Sequence, residues 1–457
     1  MPTDFQDRFE ARLIVSDFVT VASDVRRVDQ TGGAREALVR LTKELDGSTL
    51  IYCQSPGSVR RVAQLMVERE VSPPAPELND VVDWVGRHFH PDWIVARSLA
   101  HGIGVHHGRL PRALAQLQVR LFNSGALKFL ICTSTLIEGV NTAAKHVVIY
   151  DNKISKKPFD YFTYRNILGR SGRMFRHFVG TVHLFHSPPQ ADLLDVDFPA
   201  FSQMDAASDG LLVQLDEDDL GGDSLRRVNK LKGQFDLSME TIRANAHVDP
   251  QQQINLARHI RLHARELHPA LSWRGEPSND QIYKVCNLLF ETLLAGVTRD
   301  VVRNDRQLAF LITQLRQLGA TGFIQAQAHT TNSRAPSDPS DRVENALEFL
   351  RNWASFHFPR ALTALERIQA EVFSRLGLPV GSYASFAVRV ENLMLPPALA
   401  ALDEYGLPLQ LVARLEALLP AASDLDAVIA VLRRLDTSQL RLSTFEKNLL
   451  DEVKSTL

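Results

Sequence analysis

From Ala34 onward the chain alternates between two hydrophobic periods. Apolar residues at helical spacing over Ala34 to Leu45 and Ser58 to Glu70 flank the run Thr49-Leu50-Ile51-Tyr52-Cys53, as expected of helices that cover a buried strand. The alternation continues through strand Ile103-Gly104-Val105-His106, helix Pro111 to Asn123, strands Lys128 to Cys132 and His146 to Tyr150, helix Asp160 to Leu168 and strand Gly180 to Phe185. Continuous apolar strands separated by crossover helices predict an α/β fold, a parallel sheet flanked by helices on both faces. In such sheets the loops at the carboxyl ends of the strands carry the site.

After about Phe198 the strand signal fades and apolar residues keep helical spacing. Asp249-Pro250-Gln251-Gln252 opens a helix with an N-cap, a proline at the first helical position and Gln at the third. Further helices fit Asn279 to Leu294, Arg306 to Leu318, Arg342 to His357 and Ala361 to Leu376. Thr330 to Ser340 is rich in Ser, Thr and Pro and reads as a linker. The expected organisation is therefore a lead-in over 1–33, an α/β domain over 34–198, a helical or winged-helix accessory domain over 199–329, a linker over 330–340 and a helical domain over 341–457.

Composition refines this picture without redirecting it. The 457 residues, 45% hydrophobic and 23% charged, describe a globular chain of several domains at about 100 to 200 residues each. The net charge of −2 hides a basic stretch, Lys145, Lys153, Lys156, Lys157, Arg165, Arg170, Arg173 and Arg176, of the kind that faces phosphates. Three cysteines without a Cys-x-x-Cys pair support neither a disulfide framework nor a zinc ribbon. With no apolar run long enough to span a bilayer and no leader pattern at Met1, no membrane partner and a cytoplasmic location are expected. The histidines His88, His90, His101, His106 and His107, and the pair His259 and His263, lack the spacing of a metal set, so no metal is expected on this chain.

The sharpest chemistry lies in Asn166-Ile167-Leu168-Gly169-Arg170-Ser171-Gly172-Arg173, at the end of a predicted helix. Two arginines three residues apart on a glycine turn can meet one polyanion, because the planar guanidinium matches phosphate oxygens bidentately and keeps its charge. Thr133-Ser134-Thr135 places hydroxyls in a row after a strand, ahead of Gly139 and Asn141. Gln54-Ser55-Pro56 and His106-His107-Gly108 end two further strands. All of these loops fall on one edge of the predicted sheet.

In this order, Tyr-Cys-x-Ser, Gly-Val-His-His-Gly-x-Leu-Pro, Thr-Ser-Thr-Leu-x-x-Gly-Val-Asn and Leu-Gly-Arg-Ser-Gly-Arg resemble motifs IV, IVa, V and VI of superfamily-two DExH helicases of the superkiller (Ski-like) type. The resemblance covers roughly residues 35 to 190. It implies the second RecA-like domain of such a motor. It also implies that Arg170 and Arg173 are catalytic arginine fingers toward ATP phosphates held by the other lobe, worth about 10³ to 10⁵ in rate for such groups. By the same resemblance Gly139, Asn141 and Gly169 lie near the nucleotide, while Ser55, His107, Gly108, Thr133, Ser134 and Thr135 face the bound strand. Two departures stand out: Asn166 where the family usually has Gln, and Thr142-Ala143-Ala144 where it favours Leu-Pro-Ala. The tail, including Leu402 to Pro408, resembles accessory regions of bacterial defence helicases.

No Gly-x-x-x-x-Gly-Lys-[Ser/Thr] and no DExH box on a buried strand occur in these residues. ATP and Mg²⁺ are therefore expected to be held mainly by a first RecA-like lobe on another polypeptide. On this reading the chain is the C-terminal part of an ATP-dependent helicase or translocase that does not hydrolyse ATP alone. The alternative is a non-catalytic nucleic-acid or protein-binding adaptor.

Overall fold

The computed structural model describes residues 22–139, 144–154, 157–169, 179–190, 207–297, 300–419 and 424–457. Within it, a six-stranded, wholly parallel sheet is formed by β1 (Ala22–Arg27), β2 (Thr49–Tyr52), β3 (Ile103–His106), β4 (Phe129–Cys132), β5 (His146–Ile149) and β6 (Val179–Leu184). The spatial order is β1-β6-β5-β2-β4-β3. Every residue of β2, β3, β4 and β5 is buried, as the continuous apolar runs require of strands covered on both faces. The sequence expectation of a parallel sheet flanked by helices and followed by a mostly helical region is met.

The crossover helices are α1 (Ala34–Glu44), α2 (Pro56–Glu68), α3 (Asn79–His88), α4 (Ile94–Leu99), α5 (Arg112–Ser124), α6 (Ser134–Gly139) and α7 (Tyr161–Leu168). Their ends follow local chemistry. Ser55 caps α2, accepting from Ser58 N at 3.2 Å, with Pro56 at the first turn. Asp160 caps α7, accepting from Thr163 N at 2.7 Å. The α5 helix stops at Gly125, which takes φ +85 as a left-handed C-terminal residue. Gly104 is required by packing instead: a Cβ there would stand 2.8 Å from the Leu127 and Leu130 methyls.

The segment before residue 34, expected as a lead-in, contributes β1, paired with β6 from Ala22↔Val179 to Arg27↔Leu184. Its sequence, Ala-Ser-Asp-Val-Arg-Arg, has no apolar run because an edge strand leaves side chains in solvent, and Val25 is half exposed.

The chain separates into two compact units along lines other than the sequential boundaries expected above. One contains Leu13–Leu194, Ile324–Leu347 and Ala398–Leu457; the other contains Asp195–Phe323 and Glu348–Pro397. Hence the expected 330–340 linker and much of the expected C-terminal domain belong with the sheet. Buried polar contacts are the reason. Trp84 of α3 donates to Glu446 Oε1 at 3.3 Å, which also accepts from Arg414 at 2.6 Å. Asp403 accepts from the amides of Arg112 and Ala113, both at 3.2 Å, capping α5 where Pro111 offers no side-chain acceptor.

The second unit is helical, with Pro250–Leu262, Asn279–Glu291, Phe358–Arg375 and Ala384–Glu391 among its helices. Its core stacks Trp273 on Tyr383 with ring centroids 4.4 Å apart, and buried Gln253 donates to the carbonyls of Asn245 and Val248. Among the described residues no helix is long and apolar enough to cross a membrane.

Candidate nucleic-acid and nucleotide interface

Because all six strands are parallel, the loops after β2, β3, β4 and β5 emerge at one edge. After β2, half-buried Ser55 holds its Oγ against the Ser58 amide. Asp151, just beyond β5, accepts from Gln54 N at 2.9 Å and from Ser58 Oγ at 2.6 Å. It thereby ties the Gln54 to Ser58 turn to the neighbouring strand. The sequence reading did not single out Asp151; the available signal was an acid placed directly after a buried apolar strand.

After β4, Thr133 is buried, donates its amide to the His106 carbonyl at 3.1 Å and sits with Oγ1 3.1 Å from Thr135 Oγ1. Ser134 is half-buried and Thr135 exposed, so the hydroxyl row rises from the sheet toward solvent. Gly139 closes α6, and Asn141 lies outside the described residues.

The loop after β3 differs most from its expected exposure. His107 has no side-chain exposure, and its Nε2 lies 4.0 Å from Glu344 Oε1 of helix Pro339–Glu348. Arg109 Nη1 lies 4.0 Å from Glu344 Oε2, and half-buried Gly108 separates the two. Arg60 of α2 pairs with Asp341 on the same helix and adds its field to that at Glu344. Burial pushes the Glu344 carboxyl from 4.5 up to about 7 against the opposing pull of Arg60 and Arg109. Burial likewise holds His106 at about 4, neutral at physiological pH. A linker was expected just where this acidic helix begins, so neither Glu344 nor Arg60 was a candidate from sequence.

Beyond β5 a short antiparallel pair, Lys153–Ile154 with Lys157–Pro158, carries exposed Lys153 and Lys157, and Tyr52 Oη donates to the Lys153 carbonyl at 3.0 Å. The following α7 presents Phe162, 61% exposed, together with exposed Arg165 and Asn166. Exposed cations beside an exposed ring are groups that suit phosphates and bases. Gly169 ends α7, its amide donating to the Arg165 carbonyl at 3.0 Å; Arg170 and Arg173 lie outside the described residues. Lys145, counted with the basic stretch, instead starts β5 at the opposite edge and pairs with Asp46 at 2.9 Å. Lys156 and Arg176 lie outside the described residues.

No group of three or more His, Cys, Asp or Glu side chains suited to a metal occurs among the described residues. The His259 and His263 rings lie with centroids 4.5 Å apart, tilted by 35°.

Residues 89–175 match the helicase conserved C-terminal domain. Anti-bacteriophage protein B of Escherichia coli K12 is 29% identical over 426 residues, 90% of this chain and 58% of that protein. The ATP-dependent DNA helicase Hel308 of Methanocella arvoryzae is 27% identical over 167 residues, 34% of this chain and 23% of that protein. The DExH-box ATP-dependent RNA helicase DExH14 of Arabidopsis thaliana is 42% identical over 78 residues, 16% of this chain and 4% of that protein. The chain thus spans less than two thirds of the length of each of these relatives. A solved DEAD box protein from Methanococcus jannaschii aligns at 17% identity and TM-score 0.25 over 40% of this chain and 42% of its own, an overlap too slight to bear on the fold.

Proposed function

We propose that the chain is the second RecA-like half of a superfamily-two helicase, the strand-gripping and ATP-completing part of a nucleic-acid translocase that serves antiphage defence; the helicase C-terminal match over 89–175 and the similarity to anti-bacteriophage protein B support this reading. The observation that carries this reading is the convergence of Ser55, Gly108, Thr133, Ser134 and Thr135, in the loops after β2, β3 and β4, on one edge of a parallel sheet. Hydroxyls and backbone amides there grip a phosphodiester backbone without reading bases.

Arg170 and Arg173, continuing from Gly169, are the groups that reach a γ-phosphate bound to a partner lobe, with Gly139 and Asn141 beside the nucleotide. Hydrolysis needs the Walker A lysine, its hydroxyl and Mg²⁺ from that lobe, because these 457 residues contain no Gly-x-x-x-x-Gly-Lys-[Ser/Thr]. The residues of this chain supply charge stabilisation and the strand contacts that make hydrolysis productive. The DNA-helicase and RNA-helicase names among its relatives leave both strand chemistries in play.

The test is strand-stimulated ATPase of this chain mixed with a Walker A-bearing lobe of the same superfamily and source. Arg170→Ala and Arg173→Ala are expected to lower the restored rate by about 10³-fold or more. Unchanged activity in both variants refutes the finger assignment. The missing Walker A motif also motivates an adaptor reading, in which the chain binds a strand in a salt-sensitive way that is indifferent to ATP in every mixture.

A further inference from the structure

Between helices Gly222–Lys232 and Met239–Ala244 of the second unit, a short turn holds an aromatic ring out in solvent. Phe235 is 89% exposed, more than any other large apolar side chain among the described residues. The turn that carries it is fastened on both sides of the ring. Gln234 closes it, donating to the Leu237 carbonyl at 2.6 Å and accepting from the Leu237 amide at 3.0 Å. Asp236 is buried and clamped by Arg258 and Arg261 of helix Pro250–Leu262, each at 2.9 Å. Arg375, at the end of helix Phe358–Arg375, donates to the Phe235 carbonyl at 2.7 Å. Exposed Leu262 and Leu376 lie one residue beyond two of these arginines. A ring on a turn fixed in this way loses little freedom when something packs on it. Exposed aromatic and arginine side chains together are the residues that protein interfaces concentrate. The charges around the ring are divided. Arg258, Arg261 and Arg375, all exposed, reach the turn at and after Phe235, whereas Lys232, three residues before it, pairs with Glu217. That pairing brings in the acidic turn Asp216 to Asp219, exposed throughout.

We propose that this face joins two copies of the chain as a homodimer, with Phe235 near the two-fold axis. An apolar projection with arginines on one flank and carboxylates on the other is complementary to itself under such an axis: ring meets ring, and the arginines of each copy meet the carboxylates of the other. The same carboxylates repel a phosphate backbone, so the face suits a protein surface better than a nucleic-acid strand. The dimer goes beyond the translocase reading and does not depend on it.

Sedimentation velocity of the full chain from about 1 to about 100 µM tests this, with a monomer-to-dimer shift expected inside that range. Phe235→Asp should weaken association by about tenfold or more while leaving the thermal melt unchanged, since the ring it removes packs on little within the chain. Asp218→Lys sets a cation against the partner's arginines and should also weaken the dimer. Cross-linking adds a geometric readout. Cys53, Cys132 and Cys286 are all buried, so Phe235→Cys introduces the one exposed thiol, and copper–phenanthroline oxidation should join two copies through it. Val431→Cys, exposed in the sheet-bearing unit, serves as the control for random collision and should cross-link far more slowly. A chain that stays monomeric to about 100 µM, with Phe235→Cys cross-linking no faster than Val431→Cys, overturns the dimer and leaves the face to a different protein. A dimer that Phe235→Asp leaves intact lies on another surface and overturns the assignment equally. Unweakened association by Asp218→Lys overturns the two-fold charge pairing.

Discussion

Replacing Glu344 by glutamine should stabilise the sheet-bearing unit by an amount that grows as pH rises from 4.5 to about 7 and then levels off. Its carboxyl rises from 4.5 to about 7 on folding, because burial outweighs Arg60 and Arg109. An acid whose pKa is raised in the folded state binds its proton more tightly there. Its contribution is therefore fully present below pH 4.5 and is lost as pH rises through about 7. At about 1.4 kcal/mol per pH unit, the wild-type chain gives up at most about 3 kcal/mol across that window. Glutamine cannot ionise and escapes the loss. The offset is small, since Arg60 keeps Asp341 and the Arg109 side chain is 35% exposed, where an ion pair contributes about 0 to 1 kcal/mol. For a unit of this size, 2 kcal/mol corresponds to a melting shift of about 4 to 8 °C. Thermal melts by circular dichroism at pH 5, 6, 7 and 8.5 should show wild type and Glu344→Gln together at pH 5 and the variant higher by several degrees at pH 8.5. A variant that melts lower than wild type at pH 8.5 would show that the carboxylate is a net stabilising ion-pair partner, and the reasoning would be refuted.

Two further changes probe how the carboxyl edge of the sheet is built. Asp151→Ala removes acceptors from the Gln54 amide and the Ser58 hydroxyl, and should cost about 1 to 3 kcal/mol in denaturant unfolding while weakening oligonucleotide binding through the displaced Ser55 turn; unchanged binding would remove Asp151 from the positioning of that turn. Asp403→Ala uncaps the α5 amides of Arg112 and Ala113 and should cost about 1 kcal/mol, with faster exchange in the first turn of that helix; no change in exchange there would mean solvent caps the helix equally well.

Several elements were readable because their causes are local. The runs Thr49–Tyr52, Phe129–Cys132 and His146–Ile149 are apolar on both faces, so pattern alone places them at the centre of a parallel sheet. The helices read from Ser58 and Asp160 are present with their starts at Pro56 and Tyr161, capped by the side chains of Ser55 and Asp160. Strand β1 escaped because its polar side chains carry no period, and its partner, β6, lies more than a hundred residues away. The boundaries after residue 198 escaped for the same reason: what assigns 324–347 and 398–457 to the sheet is not composition but contacts such as Trp84 with Glu446.

By itself, the sequence determined the parallel sheet, the edge on which the loops gather and the residue types available to meet a phosphate backbone, since period, caps and motif order are properties of neighbouring residues. Only the tertiary structure decided which of those residues are open to solvent. Thr135 is exposed at the edge, whereas His107, equally polar and equally placed at a strand's end, lies beneath a helix that begins more than two hundred residues later. Burial and the field at a carboxylate depend on what packs from afar, and no local pattern encodes that.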